Sequence, residues 1–140
     1  MTDAFEGKGS CLCETVRFTA PEASTRVGAC HCSMCRRWGG GPLLAVECGG
    51  DVRFEGDEHV SAFDSSEWAE RGFCSRCGTH LFYRLKASGD YVLPAGLFDD
   101  QSVFTFTSQI FIDHKPGYYD FANQTRDLTE AQVFELYGAS

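Results

Sequence analysis

Long apolar runs and a surplus of basic residues are both missing from this 140-residue chain. No stretch approaches the roughly 20 apolar residues of a membrane span. The opening residues, Met1-Thr2-Asp3-Ala4-Phe5-Glu6, lack the basic start and apolar core of a secretory signal. The chain is therefore expected in the cytosol, with no membrane partner. Twelve Lys and Arg stand against twenty Asp and Glu, a net charge of −8. Such a surface repels phosphate backbones, so nucleic acid is not an expected partner. Repeats, low-complexity tracts and long linkers are absent too. The length suits a single domain over residues 1–140, large enough to bury a core without relying on disulfides.

What the chain does have is eight cysteines, twelve phenylalanines and fifteen glycines. Short β-rich runs broken by glycine predict a mainly β fold. Expected strands are two within 5–18, turning at Gly9-Ser10 and ended by Pro21. Further strands are expected at 27–30, 43–46, 52–55, 60–63, 79–85, 91–93 and 103–112. Gly49-Gly50-Asp51 reads as a hairpin turn. Ser33 is placed to cap a single helical turn over 33–37, and Gly39-Gly40-Gly41-Pro42 breaks the chain after it. Near the end, Thr129 and Gln132 match a capping box. Val133, Leu136 and Tyr137 share a helical face, and Gly138 is placed as the stop. A short C-terminal helix is the expectation there.

In a reducing compartment, eight cysteines point to metal or redox chemistry rather than disulfides. They fall into three groups and a singleton. Cys11 and Cys13, two apart on a strand, aim at one point. Cys74-Ser75-Arg76-Cys77 followed by Gly78 has the form of a zinc-knuckle half-site. Together these halves make a closed four-sulfur site. Cys30, Cys32 and Cys35 offer three sulfurs within six residues. Three ligands leave a fourth zinc position open, as a catalytic site needs. The alternative is a second structural site, completed by His31, Cys48 or His80. His31 reads as either a ligand or a donor supporting one, Cys48 as a buried free thiol, and His59 and His114 as surface residues. Arg36 and Arg37 are candidates for stabilising thiolates and binding substrate carboxylates, with His80 facing the open site. Trp38 is a candidate pocket wall. Seven thiolates on two zinc ions would take the net charge from −8 to about −11.

These motifs carry a resemblance. Gly9-Ser10-Cys11-Leu12-Cys13, Cys30-His31-Cys32-Ser33-Met34-Cys35-Arg36 and Phe73-Cys74-Ser75-Arg76-Cys77-Gly78-Thr79 resemble, in order and spacing, the glutathione-dependent formaldehyde-activating enzyme family. The resemblance runs from about residue 7 to 119, with 109–113 and Lys115-Pro116 as a weaker later element. It implies a β-tent of packed antiparallel sheets with zinc knuckles. Cys11, Cys13, Cys74 and Cys77 then match the structural zinc ligands, and Cys30, Cys32 and Cys35 match those of a catalytic zinc. Two zinc ions per chain are implied. So is a carbon–sulfur lyase activity, joining a thiol such as glutathione to a small aldehyde such as formaldehyde to give an S-hydroxymethyl adduct. Glu14 departs from the pattern where the family often has glycine, and residues 121–140 lie outside it. The family also includes members not known as enzymes, among them a kinetochore-associated protein, so a non-catalytic zinc-stabilised binding module is the rival expectation. Methionine-sulfoxide reduction is a lesser one. It needs a metal-independent nucleophilic cysteine, and only Cys48 is left for that role.

Overall fold

The computed structural model describes residues 3–137. Alternating side chains build the first sheet from β1 (Ala4–Ser10) and β2 (Arg17–Ser24), paired antiparallel. Their register slips: Phe5 faces Ala23, but Gly7 faces Ala20. Pro21 lies in this bulge, where its missing N–H leaves the ladder intact. Pro21 therefore does not end the strand as expected. The extra residue restores the phase, and Ala20 and Ala23 are both buried. The turn also shifts, from Gly9-Ser10 to residues 11–16.

The second sheet starts with β3 (Arg26–Cys30). It leads into helix α1 (Ser33–Gly39), which Gly40 ends with a left-handed φ of 82°. The cap is Cys32 rather than Ser33, and the helix outlasts the single turn expected. β4 (Leu43–Gly49) pairs antiparallel with β3. β5 (Arg53–Glu55) does not fold back on β4; it joins the first sheet against β2. The Gly49-Gly50-Asp51 turn thus crosses between sheets and makes no hairpin. Cross-sheet burial of Val52 and Phe54 against the core outweighs local turn chemistry here.

The chain continues through β6 (Val60–Asp64), β7 (Ala69–Cys74), β8 (His80–Leu85) and β9 (Tyr91–Pro94) as an antiparallel meander. β10 (Thr105–Ile110) and β11 (Arg126–Leu128) complete an eight-stranded sheet ordered β11-β10-β3-β4-β9-β8-β7-β6. β10 runs parallel to both β3 and β11, which adds two parallel pairs to an otherwise antiparallel sheet. β7 and β11 went unread in the sequence: Glu70, Arg71 and Gly72 break the apolar pattern of one, and Arg126-Asp127 that of the other.

The sheets close on a core of Val16, Phe18, Val46, Leu81, Phe82, Leu93 and Phe98. The first sheet also meets the segment after β9 at a bridge between Gly9 and Phe98. Only glycine fits there, because a Cβ on Gly9 would sit 2.0 Å from the Leu97 carbonyl oxygen. Helix α2 (Glu130–Tyr137) carries the expected capping box: Gln132 N–H donates to Thr129 Oγ1 (3.2 Å) and Thr129 N–H to Gln132 Oε1 (2.8 Å). Val133 is buried, but Leu136 is 54% exposed and does not share its burial. Gly138 lies outside the described residues. Among them, no helix is long and apolar enough to cross a membrane.

Candidate functional site

Two turns build the first cluster. The turn 11–16 is held by Cys11 N–H to the Val16 carbonyl and Glu14 N–H to the Cys11 carbonyl, each 3.0 Å. This turn, rather than a strand, makes Cys11 and Cys13 converge. The β7–β8 turn is held by Cys74 N–H to the Thr79 carbonyl (2.9 Å) and Gly78 N–H to the Cys74 carbonyl (2.8 Å). Gly78 has a φ of 78°, which an L side chain resists. The turns meet where Leu12 N–H donates to Thr79 Oγ1 at 3.1 Å. The Cys11, Cys13, Cys74 and Cys77 sulfurs then lie within 4.8 Å of one another. Cys11 and Cys13 are 3.6 Å apart, and Cys13 and Cys74 are 3.9 Å apart. A tetrahedron of sulfurs around zinc has edges of about 3.8 Å, so the donor set fits a four-thiolate metal site.

Threonine hydroxyls dress this cluster. Cys77 Sγ lies 3.1 Å from Thr79 Oγ1, and Cys13 Sγ lies 3.2 Å from Thr15 Oγ1. The Thr79 hydroxyl, then its backbone N–H, pulls the Cys77 thiol down to about 5. Thr15 lowers Cys13 in the same way, while burial pushes Cys11 up to about 11. Cys13 and Cys77 thus give up their protons more readily than Cys11.

The second cluster is local. Cys30 ends β3, Cys32 caps α1 and Cys35 lies in its first turn. Cys35 N–H donates to Cys32 Sγ at 3.4 Å, as a capping residue requires at that spacing. The three sulfurs lie within 4.8 Å of one another, and no fourth ligand joins them among the described residues. Thiol donation from Cys30, then Cys35, holds the Cys32 thiol far below its usual range. Cys30 is pushed up by the same sharing with Cys32 and Cys35, then by burial.

Each residue weighed as a fourth ligand lies outside this group of converging ligand atoms. His31 is fully buried, with Nδ1 2.7 Å from Tyr119 Oη and Nε2 2.8 Å from Gln109 Oε1. Gln109 Nε2 donates to Thr125 Oγ1 (3.0 Å), which donates to Asp127 Oδ1 (2.6 Å). That order fixes the amide, so His31 Nε2–H donates to Gln109 and Nδ1 accepts from Tyr119. Burial also lowers its pKa. Cys48 is fully buried with its thiol against the Val46 carbonyl, and burial pushes it up to about 12. His80 stacks on Trp38 at 4.1 Å and 11°. Its pKa is lowered by burial and then by Arg71.

Arg36 turns back to its own loop, its Nε donating to the His31 carbonyl at 3.0 Å, and Arg37 is exposed on the helix. Neither arginine following the cluster touches the sulfurs. Arg71 on β7 does, with Nη1 and Nη2 at 3.7 and 3.6 Å from Cys35 Sγ. Sequence reasoning missed it along with its strand. The available signal was a charged residue at an inward position, in phase with Ala69 and Phe73. A cleft of about 480 Å³ runs past His80, Thr79, Gly39 and Pro42, beside α1. A larger one, about 600 Å³, lies across Gln109, Lys115, Phe121 and Asp127. Lys115 Nζ bonds there to Asp120 Oδ1 at 2.6 Å and to the Tyr119 carbonyl, which fixes the loop that brings Tyr119 to His31. The sulfurs line neither cleft.

Fold and site together define a mainly β protein with two cysteine clusters suited to metal, one of four sulfurs and one of three. Residues 6–114 match the family described as glutathione-dependent formaldehyde-activating enzyme, and the chain belongs to that family. An uncharacterized lyase of Schizosaccharomyces pombe is 36% identical over 131 residues, 93% of this chain and 96% of that protein. A putative glutathione-dependent formaldehyde-activating enzyme of Halomonas elongata is 34% identical over 84 residues, 54% of each chain. A solved structure of a Rhodobacter sphaeroides protein shares the fold, with a TM-score of 0.52 and 23% identity over 66% of this chain and 87% of that one.

Proposed function

We propose that the protein adds a glutathione-like thiol to a small formaldehyde-like aldehyde at the centre of Cys30, Cys32 and Cys35, as an S-(hydroxymethyl)glutathione synthase-like carbon–sulfur lyase. The observation that carries this reading is the trio itself: three converging sulfurs that no fourth His, Cys, Asp or Glu ligand joins among the described residues. Cys30, Cys32 and Cys35 would hold a zinc ion, which would favour the thiolate form of an arriving thiol. Cys11, Cys13, Cys74 and Cys77 would hold the second zinc, which would tie the two turns together. In the reaction a carbon–sulfur bond forms and the carbonyl π bond breaks, and the oxygen takes up the proton the thiol gave. The chain's residues orient the partners. His80 lines the cleft beside α1, and Arg37 offers an exposed cation to a substrate carboxylate. Arg36, held on the His31 carbonyl, shapes the loop between Cys30 and Cys32.

Exchange NMR of glutathione and formaldehyde tests the proposal, comparing zinc-loaded protein, Cys35→Ser protein and buffer. The intact protein is expected to accelerate adduct formation beyond the spontaneous rate, and the variant to fall to the buffer rate. Equal rates in all three, with two metals confirmed per chain, would remove the activity and leave the non-catalytic module.

A further inference from the structure

Arg71 is 3% exposed, yet among the described residues no carboxylate lies within 4.0 Å of it. Its guanidinium packs on Trp38 from α1 and Tyr83 from β8, with 5.0 Å to each ring centroid. Tyr83 is its cross-strand partner in the β7–β8 ladder, so the sheet itself fixes the stack. Both terminal nitrogens point to Cys35 Sγ, and Nε has no acceptor. A buried cation without a counterion is costly, and aromatic faces offset only part of that cost. Among the described residues, the group its terminal nitrogens meet is the Cys35 sulfur, which can carry negative charge.

We propose that Arg71 is the fixed counter-charge of the three-cysteine centre, making its fourth position selective for an anionic ligand, a thiolate, over a neutral one. This rests on the reading that a thiol binds at that centre. Three thiolates around a divalent ion leave one negative charge, which Arg71 cancels. A fourth thiolate then enters a neutral centre instead of an anionic one, in a buried setting where charges are weakly screened. Arg71 is a positioning residue: it touches Cys35, and it acts on the incoming ligand through that sulfur and through its charge.

Calorimetric titration of the zinc-loaded protein with 2-mercaptoethanol tests this. That thiol has no carboxylate, so a salt bridge to the substrate's body cannot mimic the effect. The parent is expected to bind it with release of one proton. Arg71→Met, which keeps the stem between the rings, is expected to bind at least about 10-fold more weakly. Arg71→Lys is expected to recover most of the loss. Dimethyl sulfide, which cannot ionise, is expected to discriminate none of the three. Equal thiol affinity in the parent and Arg71→Met overturns the assignment while leaving the proposed function standing. A parent that binds no thiol overturns both. If Arg71→Met loses its second metal, Arg71→Lys decides: near-parent affinity supports the assignment, and lost affinity with both metals retained overturns it.

Discussion

The two cysteine clusters use the same ligand atom for opposite ends. The four-sulfur cluster gathers its donors from two turns 61 residues apart and closes its coordination with protein alone. The three-sulfur cluster gathers its donors from one strand end and one helical turn and stops one short. Their surroundings differ as well. Hydroxyls of Thr15 and Thr79 attend the first, whereas a buried guanidinium attends the second. Ligand type therefore says little about role. Closure, sequence separation and neighbouring charge distinguish the two clusters.

The sharpest test of that contrast pairs Cys74→Ser with Cys35→Ser. Cys74→Ser is expected to cost several kcal/mol, with loss of one metal and a large drop in melting temperature, because metal binding there is coupled to folding. Cys35→Ser is expected to lose the other metal and at least 100-fold in turnover, with a far smaller shift in melting. Metal analysis beside thermal melts reads both, and equal destabilisation by the two would erase the distinction.

Next in size is Tyr119→Phe, which strips the donor from His31 Nδ1 and leaves a buried acceptor unmet. A loss of about 1–3 kcal/mol in urea unfolding is expected, with metal content unchanged. Should the second metal be lost instead, His31 would be a support of the centre rather than of the fold.

Glu14 is a smaller probe of the first cluster. It holds a φ of 62° beside Cys13, and its exposed pair with Arg17 at 2.9 Å contributes little. Glu14→Gly relieves that backbone at the cost of a freer unfolded chain, and a gain of up to about 1 kcal/mol is expected in thermal melts. Any loss would mean that the carboxylate itself supports the turn.

The smallest effect is on acid stability. His80 takes a proton less readily when folded, so stability is fully present above about pH 6.5. It falls as the pH drops through the depressed folded value. His80→Gln is expected to flatten the melting temperature against pH in that acid window and to leave it unchanged near pH 8. An unaltered slope would show that stacking on Trp38, and not charge, is what His80 contributes.

Sequence reasoning reached the cysteine groupings because metal-ligand spacing is a local code: Cys30, Cys32, Cys35 and the Cys74–Cys77 knuckle are each fixed within one turn. It reached most strands because their alternation is equally local. It failed where distant parts decide. β5 crosses to the first sheet because Phe54 meets Phe82 and Tyr91, a choice invisible in the glycine turn before it. Pro21 reads as a stop until the bulge opposite Glu6 is seen. Arg71 looks like a solvated strand residue until Trp38 and Tyr83 close over it. Its partner Cys35 is 36 residues away, and Arg36, one residue from that cysteine, was the natural but wrong suspect for contact with the sulfurs.

The spacing of the clusters also sets an order of events in time. Cys30, Cys32 and Cys35 sit close together even in an unfolded chain, so they can capture an ion as soon as they leave the ribosome. The other four cannot. Bringing Cys13 to Cys74 closes a loop of 61 residues, at an entropic cost of about 3–4 kcal/mol, before any bond to metal is made. The clasp therefore belongs to the last stage of folding. A chain starved of metal is expected to stall with Cys30, Cys32 and Cys35 accessible and its two sheets not yet locked together.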